Sequence, residues 1–220
     1  MAKPVAREVR EVREPLRSNS RANRARILAT ARQELGRNPD VTLEELARAA
    51  GVVRRTLFGH FPGRAALLEA LAEEAGEALR GALETGEQLA LAGPESAESA
   101  LAHLSFAMWP VGDRYRLLLS LAQRDLGAER VAEVLAPARE QATEILTRGQ
   151  RDGVFHTHLP APVLSAGLEA LTVALLEAVN TGALEDDGTR IALATLIAAG
   201  VPEKRAHDVV DAVAESAASA

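Results

Sequence analysis

Arg54 and Arg55 follow an Ala50-Gly51-Val52 turn and precede Thr56 and His60 on what reads as one short helix. Two guanidiniums at the start of a helix suit bidentate hydrogen bonding, either to guanine O6 and N7 or to phosphate oxygens. An ordinary helical hairpin would also use glycine at its turn. It has less reason to set two adjacent arginines, Thr56 and His60 on the following helix. Other chemistries find little support. With no cysteine there is no thiol nucleophile, no disulfide and no Cys-ligated metal centre. There is no Gly-rich phosphate loop, no Gly-x-Ser-x-Gly elbow and no His-Glu-x-x-His pair, and Gly76, Gly81 and Gly86 fit none of these patterns. His156 and His158 follow Asp152-Gly153 with no nearby third ligand, so a solvated loop is the expectation, and neither a metal nor a cofactor is expected.

The elements that must position the arginines are helices. Ala, Leu, Glu and Arg dominate, β-branched runs are few, and the chain has 1 Trp, 1 Tyr and 4 Phe. Ile27, Leu28, Ala31 and Leu35 recur at helical spacing over about 20–37, with Gly36 and Pro39 at the end. Thr42-Leu43-Glu44-Glu45 is a capping box that starts a short helix with Leu43, Leu46, Ala47 and Ala50 on its apolar stripe. Gly51 supplies a turn residue free to take positive φ, Ala47 allows close approach, and Val52 and Leu57 close a small core. Pro62-Gly63 ends the next helix, and a longer one runs from Arg64 past Leu67, Leu68, Leu71 and Leu79. The stretch 86–95 reads as a connection. Further helices are expected at about 95–108, 113–126, 128–151 (bent or restarted at Pro137), 162–183, 188–199 and 203–217. Pro110 and Gly112 mark a break between two of them, and Phe155 falls in a loop.

Charge is divided along the chain. Residues 1–64 carry 14 Lys+Arg and 7 Asp+Glu, a net 14 − 7 = +7, and the remainder carries 11 and 24, a net −13, for the overall −6. A basic head on an acidic body directs the head at a polyanion. The charged N-terminus lacks the apolar core of a signal peptide, and no uninterrupted apolar run approaches the ~18 residues of a membrane span. A cytoplasmic protein without a membrane partner is expected.

From about Arg26 to Leu71 the chain resembles the TetR family of transcriptional regulators, over about a fifth of its length. The run Thr42 to Leu67 keeps the family's spacing of hydroxyl residue, Leu-Ala pair, Ala-Gly-Val turn, Thr-Leu-aromatic, His-Phe and a cation two residues past the proline. The resemblance implies a three-helix helix-turn-helix head whose second motif helix enters the major groove of double-stranded DNA. It also implies roles: Arg54, Arg55 and Gly59 at base edges, with Thr42, Thr56, Phe58 and His60 near phosphates. Arg64 stands where the family has Lys, at a helix N-terminus that favours phosphate. Three positions depart from the pattern. Val53 replaces the capping Ser/Thr, Phe58 replaces Tyr, and Gly59 is a poor helix former inside the recognition helix.

Readers of palindromic DNA need a second subunit. The apolar helices at about 162–183 and 188–199 must each be buried on more than one side, which fits a four-helix homodimer interface. A large monomeric core is the alternative. His103, Phe106, Met108, Trp109 and Tyr115 gather aromatics in an aromatic-poor chain and are the candidate wall of a small-molecule effector pocket. Taken singly, each is as well explained as ordinary core. The expected organisation is all-α: a flexible basic arm (1–18), a helix-turn-helix DNA-binding domain (19–66) and an effector-binding and dimerisation domain (67–220). The arm is read as a solvated tail, with minor-groove insertion as the alternative. The function expected is a homodimeric, non-enzymatic repressor released by its effector. The alternative is an all-α enzyme or small-molecule-binding protein with a vestigial head.

Overall fold

The computed structural model describes residues 5–90 and 96–218, with side chains described over 19–85 and 96–216. The described residues form nine helices and no strand: α1 (Val5–Arg37), α2 (Leu43–Ala49), α3 (Arg54–His60), α4 (Arg64–Ala90), α5 (Ala97–Asp125), α6 (Ala128–Arg151), α7 (Ala161–Asn180), α8 (Thr189–Ala198) and α9 (Glu203–Ala218). The expected arm falls on α1, whose side chains before residue 19 lie outside the described residues. Positions 86–90, expected in a connection, continue α4, while 91–95 lie outside the described residues.

Two apolar clusters hold the chain together. The head cluster gathers Ile27, Leu28, Ala31 and Leu35 of α1, Leu46 and Ala47 of α2, Leu57 of α3 and the buried Phe61. Leu67, Leu68 and Leu71 of α4 complete it, together with Leu118 and Leu121 from the distant α5. The body cluster contains Ala97, Leu101, Leu146, Leu164, Leu168, Leu196, Val209, Val210 and Val213. Glu98 of α5 pairs with Arg205 of α9 at 2.8 Å and fastens the last helix to this core.

The structure decides several local points. Pro110 and Gly112 do not break the chain, because α5 runs through both, and α6 likewise runs through Pro137. An internal proline deletes one helical hydrogen bond, but α5 packs along its length on α1, α4, α6, α7, α8 and α9, and that burial overrides the local signal. Phe155 lies in the loop between α6 and α7 as expected, and at 3% exposure it belongs to the body core. The two apolar C-terminal helices also differ. Ile191, Ala192, Thr195 and Leu196 of α8 are buried within the protomer, whereas α7 has only 22% of its apolar window buried. By length and composition α7 is the one described helix that could cross a bilayer, at a mean hydropathy of 1.6. Glu169 and Glu177 interrupt its apolar run.

Phe155 is accommodated by a missing side chain. A Cβ on Gly149 would collide with the Phe155 ring and stand 2.9 Å from Ala97 Cβ. Gly149→Ala is therefore expected to lower stability by ~1–3 kcal/mol, as overpacking does. Gly81→Ala, where a Cβ meets nothing within 4 Å, should raise stability by ~0.5–1 kcal/mol. Urea unfolding midpoints of the two variants should move in opposite directions.

Candidate functional site

The head is built around one turn. Thr42 caps α2: its hydroxyl accepts from Glu45 N–H, while the Glu45 carboxylate accepts from Thr42 N–H at 2.9 Å and from its hydroxyl at 2.7 Å. These bonds hold the Glu45 carboxyl below its usual range. At the other end Gly51 takes φ 62°, Val52 N–H reaches back to Ala47 O at 2.9 Å, and Gly51 N–H reaches Arg48 O. This closed C-terminal motif requires the left-handed residue and turns the chain directly into α3. Val53 caps α3 without a side-chain hydrogen bond and stands 69% exposed.

Arg54, Arg55 and Gly59 are exposed on α3, while Thr56, Phe58 and His60 are half-buried. Arg54 reaches Glu44 of α2 at 2.7 Å and lies 5.1 Å above the Phe58 ring, which itself packs on the head core. Arg64 is engaged within the protein. Its guanidinium donates to Val41 O at 3.1 Å, to Pro39 O, and to Asp125 Oδ2 at 3.2 Å. Backbone and carboxylate acceptors lie within one fork's reach at the start of α4, so the cation turns inward. It clamps the α1–α2 loop to the last turn of α5. Arg124 and then Arg64 hold the Asp125 carboxyl below its usual range.

A second junction centres on Glu74 of α4. Its Oε1 accepts from Arg32 of α1 at 2.6 Å, from the Tyr115 hydroxyl at 2.7 Å and from Arg114 at 3.3 Å. Burial, followed by the hydrogen bond to Glu74 and that carboxylate's charge, pushes the Tyr115 phenol up to about 12.

Tyr115 also lines a cavity of about 250 Å³ enclosed by α4, α5, α6 and α7, with Ile191 and Thr195 of α8 at one end. The wall is mostly Leu, Val and Ala; its largest polar feature is Arg139, bidentate to Glu169 at 2.7 and 2.8 Å. Met108 and Trp109 line this space beside Tyr115, whereas His103 and Phe106 do not, and Phe106 packs toward the body core. At 100° per residue, 101, 105, 108, 112, 115 and 119 share one face of α5, and 103 and 106 fall on the opposite one. Nearness in sequence could not separate them. Among the described residues no group of three or more potential metal ligands forms. His156 stacks on His158 at 5.2 Å and its Nε2 lies 3.1 Å from Ala198 O.

Residues 27–71, from the core of α1 through α2 and α3 into α4, match the model for bacterial regulatory proteins of the tetR family. This segment matches the TetR family. The larger domain shares the architecture of solved regulators. A gamma-butyrolactone receptor (ArpA-like protein) superposes with a TM-score of 0.68 at 21% identity, covering 92% of this chain and 100% of that one. A tetR-family regulatory protein from Rhodococcus RHA1 gives 0.67 at 18% identity, over 82% and 98%. FadR from Bacillus subtilis, in complex with stearoyl-CoA, gives 0.64 at 16%, over 80% and 97%. No curated protein matches the sequence. Beyond the residues singled out from sequence, the chain uses Glu74, Arg32 and Asp125 to join head and body. None carries a local motif, since each acts on a partner at least 40 positions away.

Tyr115 is the one tyrosine of the chain, so phenolate absorbance reports on it alone. In the folded protein it should titrate near pH 12, and in denaturing urea near the ordinary ~10. Because the folded value is raised, the stability it confers is full below about pH 10 and is lost as pH rises through about 12. Glu74→Gln should bring the folded titration down toward the unfolded one.

Proposed function

We propose that this protein is a homodimeric repressor that binds a palindromic operator in double-stranded DNA and is released by a small-molecule effector. The observation that carries the proposal is that exposed arginines on a turn-mounted helix share a single core with α5, the helix that walls the cavity. In this reading 19–66 reads DNA, 67–220 binds effector and dimerises, and 1–18 is a basic arm. Arg54 and Arg55 contact base edges from α3. Glu44 and Phe58 hold Arg54 in an extended pose from which it moves to the guanine edge. Thr42, Thr56, Phe58 and His60 lie along the phosphates, and Arg64 serves by fixing the loop before α2.

The exposed face of α7, with Val163, Ala166, Gly167, Ala170 and Ala174, supplies the dimer contact, since small residues let two helices approach closely. Ile197, exposed on α8, adds to its edge. Met108, Trp109 and Tyr115 touch the effector. A ligand that displaces Tyr115 acts on Glu74 and, through Arg32, on α1, so it favours one placement of the head over another. The fold relative solved with stearoyl-CoA supports a ligand-responsive reading of the larger domain. Acting on DNA by binding, the protein works in the cytoplasm and is not an enzyme.

Fluorescence anisotropy against DNA from upstream of its own coding region, with scrambled competitor, tests this reading. Two protomers should bind per palindrome, and Arg54→Ala should cost ~1–3 kcal/mol with specificity relaxed at one position. If the biological effect survives Arg54→Ala/Arg55→Ala in a folded protein, the head is vestigial. In sedimentation, Ala170→Glu should give monomers that bind the operator far more weakly than the parent protein.

A further inference from the structure

The cavity wall carries five hydroxyls, and each already donates its proton to the protein. Ser105 donates to Leu101 O at 3.0 Å, Thr172 to Leu168 O at 2.9 Å and Thr195 to Ile191 O at 2.8 Å. Ser165 donates across to Arg139 O at 3.1 Å, and Tyr115 donates to Glu74 at 2.7 Å. A hydroxyl has one proton and two lone pairs, so these oxygens can accept a further bond but have nothing left to give.

The lining guanidiniums are compensated as well. Arg116 pairs with Asp113, Arg130 with Glu69 and Glu133, and Arg139 with both oxygens of Glu169. Of these carboxylates only Glu169 lines the cavity, while Asp113, Glu69 and Glu133 engage the guanidiniums from outside the lining. An entering carboxylate or phosphate must therefore compete with an existing ion pair at each guanidinium. At Arg139 it competes with Glu169, which already takes the Nε–H and one Nη–H, and displacing Glu169 would strand a carboxylate beside the apolar wall. A neutral acceptor such as a ketone gains no donor from the hydroxyls.

On the reading of this cavity as an effector site, we propose that its ligand is a neutral, largely apolar molecule whose polar group is a hydrogen-bond donor, an alcohol or phenol hydroxyl rather than an acid or a carbonyl. The donor meets the spare lone pairs of the Ser and Thr hydroxyls, and the remainder fills the Leu and Val surface.

Trp109 is the one tryptophan of the chain and lies on the cavity wall, so its fluorescence reports occupancy directly. The full-length protein is titrated at neutral pH with 1-octanol, 2-octanone and octanoate, which share chain length and differ in donor, acceptor and charge. The expected result is saturable change with 1-octanol, several-fold weaker binding of 2-octanone, and octanoate weaker than the alcohol by about tenfold or more. Octanoate binding as tightly as 1-octanol would overturn the proposal, as would a ketone equal to the alcohol, while the cavity would stand as a ligand site. No response to any of the three would overturn the ligand-site reading and this proposal together.

Discussion

Leu118 and Leu121 are buried in the same apolar cluster as Ile27, Leu57 and Phe61, yet they belong to a helix that begins in the other core of the molecule. The placement of the exposed α3 arginines depends on this shared burial. Ala97 and Leu101 anchor α5 in the body, its middle turns wall the cavity, and its last turns complete the head. A helix is stiff over this length, so head and body cannot shift independently without opening one of the two clusters. The same constraint explains why Pro110 is tolerated in α5. A break there would separate the two anchors.

Polar contacts reinforce the junction on both sides of α4. Arg64 joins the α1–α2 loop to Asp125, and Glu74 gathers Arg32, Arg114 and Tyr115. These contacts are half-buried at the helix junctions. They select one register among α1, α4 and α5, because each requires a specific pair of turns to face each other. Tyr115 takes part in both worlds: its ring lines the apolar cavity and its hydroxyl belongs to the Glu74 junction.

The head was legible in the sequence because its signals are local. A capping box needs two residues three apart, Thr42 and Glu45, and the turn needs one residue free to take positive φ, Gly51. The apolar spacing of Ile27, Leu28, Ala31 and Leu35 named the buried face of α1 correctly, and all four are core. The body was legible as helices but not as an arrangement. Phe155 was legible as a loop residue but not as core, because the cleft that receives it is made by Gly149 on α6, and Pro110 looked like a break because its local cost is visible and its tertiary support is not.

The sequence by itself determined the helical class, the turn between α2 and α3, and the two arginines that follow it, since these rest on backbone conformation and on hydrogen bonds spanning three to five residues. Only the tertiary structure decided which face of α5 meets the cavity, separating Met108, Trp109 and Tyr115 from His103 and Phe106. It alone turned Arg64 inward to Asp125 and left α7, not α8, with an open apolar face. Each of those outcomes depends on which distant side chains share a space, and burial is a property of the assembled helices rather than of any segment.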